Sequence, residues 1–441
     1  LKSNPLKRMV SPSLERGRCL VRLVLIVCIA VANTETFLQA PIIEVSTCAG
    51  SGTYGGADGK WDAAQFDTPH SLSVSPDGEW LAVAGYQNGV IRYINLTART
   101  VTSLAGGSGN LGGSVDGVGS NAKFVYPRGV AVSPDGAWVA VADSFHGLIR
   151  KVDVASRAVS TVSGTTKGYQ DGAASEARFN APFSLAFDPT GTFLVVADSG
   201  NHVIRRVEVA TGAVSTVAGL SGSQGLVDGA GGDARFRDPR GVSVSPDGSW
   251  VAVADTGNNA VRRVVLWSGQ VSLVAGGKTF SDYVDDIGTM ARFDAPADLS
   301  ISPDGGVILV ADSDNNRIRL VEWSIQKVST LAGNGTLDPV DGPLGNMSGF
   351  RQPQGVAFGR SGSWAAVSDT GNHLIRNISI PSPPIFTPPP NPYAEFSSVL
   401  NLSSTSSSAP RLGTGGGGAP WALPVLLSLL AAWLDWGGRV P

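Results

Sequence analysis

The chain has 441 residues, 42% of them hydrophobic, with 56 glycines and a formal charge of −3 from 33 basic and 36 acidic side chains. The length would hold two or three ordinary domains, and glycine at this abundance suits many short strands and tight turns. No basic run interrupts residues 42–380, which excludes the clustered cationic footprint that a nucleic-acid-binding face requires.

Residues 1–32 read as a secretory signal. Lys7, Arg8, Arg16, Arg18 and Arg22 precede the apolar run Leu23 to Ala32, which closes on Ala30-Val31-Ala32. A basic n-region, an apolar stretch and an A-x-A-like end make such a signal. Met9 is the candidate start, cleavage after Ala32 would leave Asn33 at the N-terminus, and an uncleaved signal anchor is the alternative. Cys19 and Cys28 fall in this segment, so Cys48 would remain alone in the body. A small buried core residue is expected there, with a reactive thiol as the alternative.

From residue 42 onward one phrase recurs six times: AGYQNGVIR at Ala84, ADSFHGLIR at Ala142, ADSGNHVIR at Ala197, ADTGNNAVR at Ala254, ADSDNNRIR at Ala311 and SDTGNHLIR at Ser368. A regular period of this length means one supersecondary unit copied around an array. Around the fourth copy, Gly241 to Ser245 reads as a strand and Pro246-Asp247-Gly248 as a turn. Trp250 to Ala254, Val261 to Leu266 and Val271 to Ala275 read as three further strands. Four antiparallel strands repeated six times predict an all-β, six-bladed β-propeller over residues 42–380, an architecture that hides sheet edges by radial repetition. A fourth-strand phrase starts at Val101, Val159, Val214, Val271 and Val328 but is missing after the sixth copy. It stands instead at Val45 to Gly50, so the N-terminal strand is expected to complete the last blade and close the ring.

The phrase, including Asp369 to Arg376, resembles the NHL repeat, and the similarity extends over all six blades. The connectors also resemble those of NHL proteins with a D-G…F-x-x-P loop. Asp58, Asp116, Asp171, Asp228, Asp285 and Asp341 precede Phe66, Phe124, Phe179, Phe236, Phe293 and Phe350, each three residues before a proline.

Asp143, Asp198, Asp255, Asp312 and Asp369, with Arg150, Arg205, Arg262, Arg319 and Arg376, recur in nearly every blade. A catalytic residue is needed once, whereas a residue that shapes blades is needed in each, so these are read as scaffold. Aspartate can hold the turn and arginine can bridge blades. Trp80, Trp138, Phe193, Trp250 and Trp364 share one repeat position and are read as inter-blade packing, with His146, His202 and His373 as further scaffold. Each Asp-Gly loop offers one obvious carboxylate, short of the six to eight oxygens that calcium takes, so these loops are read as turns.

The copies disagree immediately after the connector proline, at His70, Arg128, Phe183, Arg240, Ala297 and Gln354. This is the start of the innermost strand. His70, Arg128, Phe183, Arg240, Gln354 and Asp298, next to Ala297, are therefore expected to rim the channel and to hold a small anionic or polar ligand. His70 should oppose Arg240 across the ring, and Arg128 the Ala297-Asp298 pair.

Pro69-His70-Ser71-Leu72 also resembles a segment of the peptidyl-hydroxyglycine α-amidating lyases, which place zinc-ligating histidines on several blades. Only one blade here has that segment and the chain has four histidines, so a three-histidine zinc site is not expected. Asp298 with Gln354 is a thin version of the metal cluster of gluconolactonase-like propellers, and no G-x-S-x-G nucleophile motif is present.

Past the repeats, residues 381–420 are rich in proline, then serine, then glycine, and read as a stalk. Residues 421–441 carry the short apolar run Trp421 to Leu434. With Ser407-Ser408-Ala409 and a polar spacer before it, this resembles a GPI-attachment signal, although the polar GGRVP end departs from one; a membrane-embedded tail is the alternative. Sequons at Asn95, Asn334, Asn346, Asn377 and Asn401 fit glycan acceptors on a secreted chain. The combined expectation is a monomeric extracellular or cell-surface binding module for a protein or glycan partner, with no catalytic residue, metal or cofactor and no nucleic acid. A metal-dependent propeller hydrolase or lyase is the alternative.

Overall fold

The computed structural model describes residues 42–107, 113–277 and 282–381. The signal, stalk and tail readings and the Asn401 sequon lie outside them. Among the described residues no helix is long and apolar enough to cross a membrane.

Six antiparallel sheets follow one another along the chain. The second blade runs Pro127–Val132, Trp138–Asp143, Leu148–Asp153 and Ala158–Ser163 from the channel outward. The fourth runs Pro239–Val244, Trp250–Asp255, Ala260–Val265 and Gln270–Gly276. Inner strands of consecutive blades pack together all the way round, including Gly355–Phe358 of the sixth against Pro69–Val74 of the first. The second strands, such as Trp138–Asp143 and Trp250–Asp255, are buried along their whole length, as expected of strands covered on both faces by neighbouring blades.

Closure is by the N-terminal strand. Val45–Ala49 pairs antiparallel with Leu374–Ser379 and supplies the outer strand of the sixth blade. The blades hold more than the expected four strands in three cases. Gly59–Lys60, Gly117–Val118 and Gly229–Ala230, each in a connector, add a two-residue strand to the outer edges of the first, second and fourth blades. Connector aspartates accept from outer-strand N–H groups, as Asp116 does from Thr161 and Asp228 from Leu273. This also covers an otherwise open sheet edge.

Hydrophobic clusters lie between blades rather than within them. Trp138 packs with Phe179 and Leu185 of the next blade, and Trp250 with Phe293 and Leu299. Cys48 belongs to such a cluster, and burial pushes its thiol up to about 11, so it remains a protonated core residue at neutral pH.

Candidate functional site

Each blade is held by one fully buried arginine. In the fourth, Arg262 donates to Asp255 at the end of the second strand at 2.9 Å and to connector Asp228 at 2.6 Å. It also donates to the carbonyls of Arg235 and Val227, and its guanidinium lies 5.2 Å from the Phe236 ring centre. Arg150, Arg205, Arg319 and Arg376 repeat the arrangement with Asp143 and Asp116, Asp198 and Asp171, Asp312 and Asp285, and Asp369 and Asp341. All five second-strand carboxylates are completely buried. Burial pushes Asp255 up to about 6, against the Arg237 N–H, the Asn258 amide and the guanidinium. The connector aspartates are thus engaged by arginine and by outer-strand N–H or hydroxyl groups. His202 and His373 accept through Nδ1 from the N–H groups of Asp238 and Thr68 in the next connector.

The first blade departs from this pattern. Gly85 replaces the aspartate, and Arg92 keeps one carboxylate, Asp58. Here too the usual serine or threonine is replaced, by Tyr86. In the second, fourth and sixth blades that hydroxyl donates to the proline carbonyl of the next inner strand, as Thr256 does to Pro296 and Thr370 to Pro69.

At the upper face, where the inner strands begin, Phe183 reaches across the channel. Its ring lies 5.2 Å from that of His70, 4.7 Å from the Arg128 guanidinium and 5.0 Å from that of Arg240. His70 and Arg240 therefore meet on an intervening aromatic ring rather than facing each other over open space. Above this floor is a chamber of about 250 Å³, lined by Thr68, His70, Tyr86, Gln87, Arg128, Phe183, Arg240, Gln352, Gln354 and Thr370. Among the described residues neither Arg128 nor Arg240 is ion-paired; Arg128 donates to the Tyr86 hydroxyl at 3.3 Å. Burial and the neighbouring Arg128 hold Arg240 below the usual arginine value. Burial, then Arg128 and Arg240, hold His70 down to about 3, so its imidazole is neutral at physiological pH. Its Nδ1 and the Thr68 hydroxyl are buried without a hydrogen-bond partner.

Asp298 is placed elsewhere. The inner strand of the fifth blade shifts register just after its proline, as those of the first four blades do. Ala297 takes the upper position and is wholly buried, while the Asp298 carboxylate, at a position held by serine or glycine in the other blades, turns into a second, larger chamber of about 680 Å³. That chamber opens toward the opposite face, between Pro76, Pro134, Pro189, Pro246 and Pro303. Gly241 leaves the room: a Cβ there would stand 2.6 Å from the Asp298 Cα and 2.9 Å from its Oδ1. The N–H groups of Leu299 and Val356 bond the Asp298 carboxyl, yet burial pushes it from 3.8 up to about 8. The folded value stands above the unfolded one, so folding takes up a proton between those limits and stability falls as pH rises through them. Asp298→Asn should flatten the difference by up to about 1.4 kcal/mol per pH unit, read from denaturation midpoints of both proteins between pH 5 and 8. Parallel curves would show that the group does not titrate there.

Asp298 and Gln354 line different chambers, and Gln354 donates to Ser313 at 2.7 Å. Among the described residues no group of three histidine, cysteine or acidic side chains could hold a metal ion. Of the sequons, Asn334 and Asn346 are exposed, whereas Asn95 and Asn377 are half-buried at the end and middle of third strands.

The sequence reading missed a second ring at the upper face. The residue before each connector proline, from Thr68 through Tyr126 to Gln352, has a positive φ in all six connectors, a conformation uncommon for non-glycine residues and disfavoured before proline. These side chains are carried at the mouth, which is why Thr68 and Gln352 line it. Their variation between blades was visible in the sequence; their conformation was not.

No protein-family model matches the chain. NHL repeat-containing protein 2 of Bos taurus is 29% identical over 341 residues, which is 70% of this chain and 45% of that protein. The chain thus spans under half the length of that relative. Among solved structures, an auxiliary nutrient binding protein from Bacteroides thetaiotaomicron superposes with a TM-score of 0.60 at 17% identity, covering 76% of each chain. A gluconolactonase from Xanthomonas campestris superposes with a TM-score of 0.50 at 12% identity, covering 79% of this chain and 94% of that one. These two likenesses are of fold alone. Six copies of the phrase, six blades around a closed ring and the curated similarity together support an NHL-repeat β-propeller family.

Proposed function

We propose that the chain is a binding module whose upper chamber receives an anionic group carried by a protein or glycan partner. The observation that carries this reading is the pair Arg128 and Arg240, brought together on Phe183 with no carboxylate in an ion pair with either among the described residues, although Asp238 and Asp314 act on Arg240 from further away. Two guanidiniums held close repel each other, and each lowers the charge tolerance of its surroundings. A bound carboxylate would relieve both and could take several charge-assisted hydrogen bonds. At about 250 Å³ the chamber sits just below the range for drug-sized ligands, which suits one small terminal group rather than a large cofactor.

The test is titration calorimetry of the full chain with small carboxylates, from acetate to glucuronate and hexaglutamate. Binding should weaken with salt, and the R128Q/R240Q double variant should lose at least tenfold in affinity, given about 1.5–3 kcal/mol for each hydrogen bond to a charged group. Equal binding by the double variant would remove the chamber as the anion site.

The same reading puts the propeller outside the cell, followed by a segment rich in proline, serine and glycine. It is supported by the basic-then-apolar start of the chain, the exposed sequons at Asn334 and Asn346 and the proline- and serine-rich segment after Pro381. Cell-expressed protein should then shift in mobility after glycosidase treatment and be released by a phosphoinositide-specific phospholipase. An unshifted band would count against secretion, and lack of release against the lipid anchor.

A further inference from the structure

The repeat is close to regular, and three of its aromatic departures gather in one place. Tyr86 stands where other blades have serine or threonine, and Phe145 where the third, fourth and sixth have Gly200, Gly257 and Gly371. Tyr126 stands where other connectors have Thr68, Ala181, Asp238, Ala295 and Gln352. None of these three is required by the blade, since the other blades fold without an aromatic ring there. Yet they form one contiguous line. His70 lies 5.0 Å from Tyr86, Tyr86 4.9 Å from Tyr126 and Tyr126 5.9 Å from Phe145, between ring centres. The line starts inside the chamber and ends in solvent: His70 is buried, Tyr86 and Tyr126 are half-buried, and Phe145 is 59% exposed. Arg128 is held between the chamber and this line, 4.7 Å from Phe183 and 5.2 Å from Tyr86.

We infer that the chamber and the aromatic line together form an extended site for an acidic oligosaccharide, with a terminal sugar acid in the chamber and the following sugars along Tyr86, Tyr126 and Phe145. This rests on the chamber being an anion site, as proposed above, and adds what else the ligand must be. A sugar acid carries a carboxylate for Arg128 and Arg240 and several hydroxyls. The chamber answers the hydroxyls with Thr68, Gln87, Gln352 and Thr370, and with a buried His70 Nδ1 and Thr68 hydroxyl that have no protein partner. A simple carboxylate, or the side chain of an acidic peptide, would leave those groups unmet, and buried polar groups left unmet are costly. Aromatic rings are large, stiff platforms with little rotamer entropy to lose. They suit the apolar C–H faces of pyranose rings, which a stretch of acidic peptide lacks. The line leaves the chamber from the first blade toward the second, so the bound chain would run across those two blades.

The experiment compares galacturonic acid, its linear tetramer, the uncharged methyl-esterified tetramer and hexaglutamate on the full chain. The tetramer should bind at least tenfold more tightly than the monomer. Phe145→Ser and Tyr126→Ser should each remove most of that gain while leaving monomer binding unchanged. Phe145 is exposed, so its replacement leaves the fold intact, which an unchanged Tm would verify. The R128Q/R240Q variant should lose both ligands, and the methyl ester should bind far less well. If the monomer binds through the arginines but the tetramer gains nothing, or Phe145→Ser leaves the gain untouched, the aromatic line is not part of the site and only this inference fails. If hexaglutamate outcompetes the tetramer, the partner is an acidic protein segment and the glycan assignment is overturned. If none of these carboxylates binds through Arg128 and Arg240, the anion site itself fails.

Discussion

Arg262→Met should lower the stability of the protein by about 3–5 kcal/mol, the usual cost of removing one partner from a buried ion pair. The fully buried guanidinium is shared by Asp255, which is also fully buried, and Asp228, whose side chain is half exposed. Without Arg262, Asp255 retains the Asn258 amide and the Arg237 N–H and must either stay charged in an apolar surrounding or take up a proton. The Arg235 and Val227 carbonyls lose their donor as well, so the connector is released from its blade. Two comparisons separate these contributions. Asp228→Asn should cost no more than about 1 kcal/mol, because the exposed half of the pair is screened by solvent. Arg92→Met in the first blade, where Gly85 offers no second carboxylate, should cost distinctly less than Arg262→Met. Denaturant midpoints of the three variants decide the matter, and equal losses for Arg92→Met and Arg262→Met would show that the buried carboxylate is not what makes the arginine indispensable.

The second large effect is expected at the closing strand. Val45 and Gly342 exchange hydrogen bonds at 2.9 and 3.0 Å, and the Thr47 N–H donates to Asp341, the connector aspartate that Arg376 also holds. The only covalent link of this strand to the rest of the ring runs through the connector to the first blade. Thr47→Pro removes the N–H that Asp341 accepts and forces a proline ring into the closing strand, which should loosen it. Loss of the strand would leave Leu374–Ser379 as a bare edge, so amide exchange there should accelerate by orders of magnitude. Leu273→Pro removes the equivalent bond to Asp228 in the fourth blade, where the strand is tethered within its own blade. It should therefore damage that blade without opening the ring. If Thr47→Pro leaves exchange in Leu374–Ser379 unchanged, closure does not depend on the N-terminal strand.

The arginine cluster shows where sequence reading stopped. The recurrence of Asp255 and Arg262 in the phrase marked both as scaffold, and the recurrence of Asp228 and Phe236 marked the connector. Nothing in the linear order joined the two sets, because the connector precedes the phrase by more than a strand pair and meets it only when the outer edge folds against the blade. Asp298 shows the same limit at the site. Its neighbour Ala297 aligns with His70 and Arg240, but Asp298 itself occupies the next position, serine or glycine in the other blades, which faces the other chamber, and burial there pushes it up to about 8. Tyr86, Tyr126 and Phe145 were visible as departures from the repeat, and their proximity was not, since they come from two blades and one connector.

What the sequence determined by itself was the periodic part: six blades, antiparallel strands, and closure by Val45–Ala49. These follow from local patterns of alternation, turn residues and the count of fourth-strand phrases, each of which must be satisfied within one repeat wherever that repeat sits. Only the tertiary structure decided what fills the channel. The length of the Phe183 side chain, the close approach that Gly241 allows and the meeting of Arg128 with Arg240 depend on how six different inner strands share one axis, and no repeat contains that information alone.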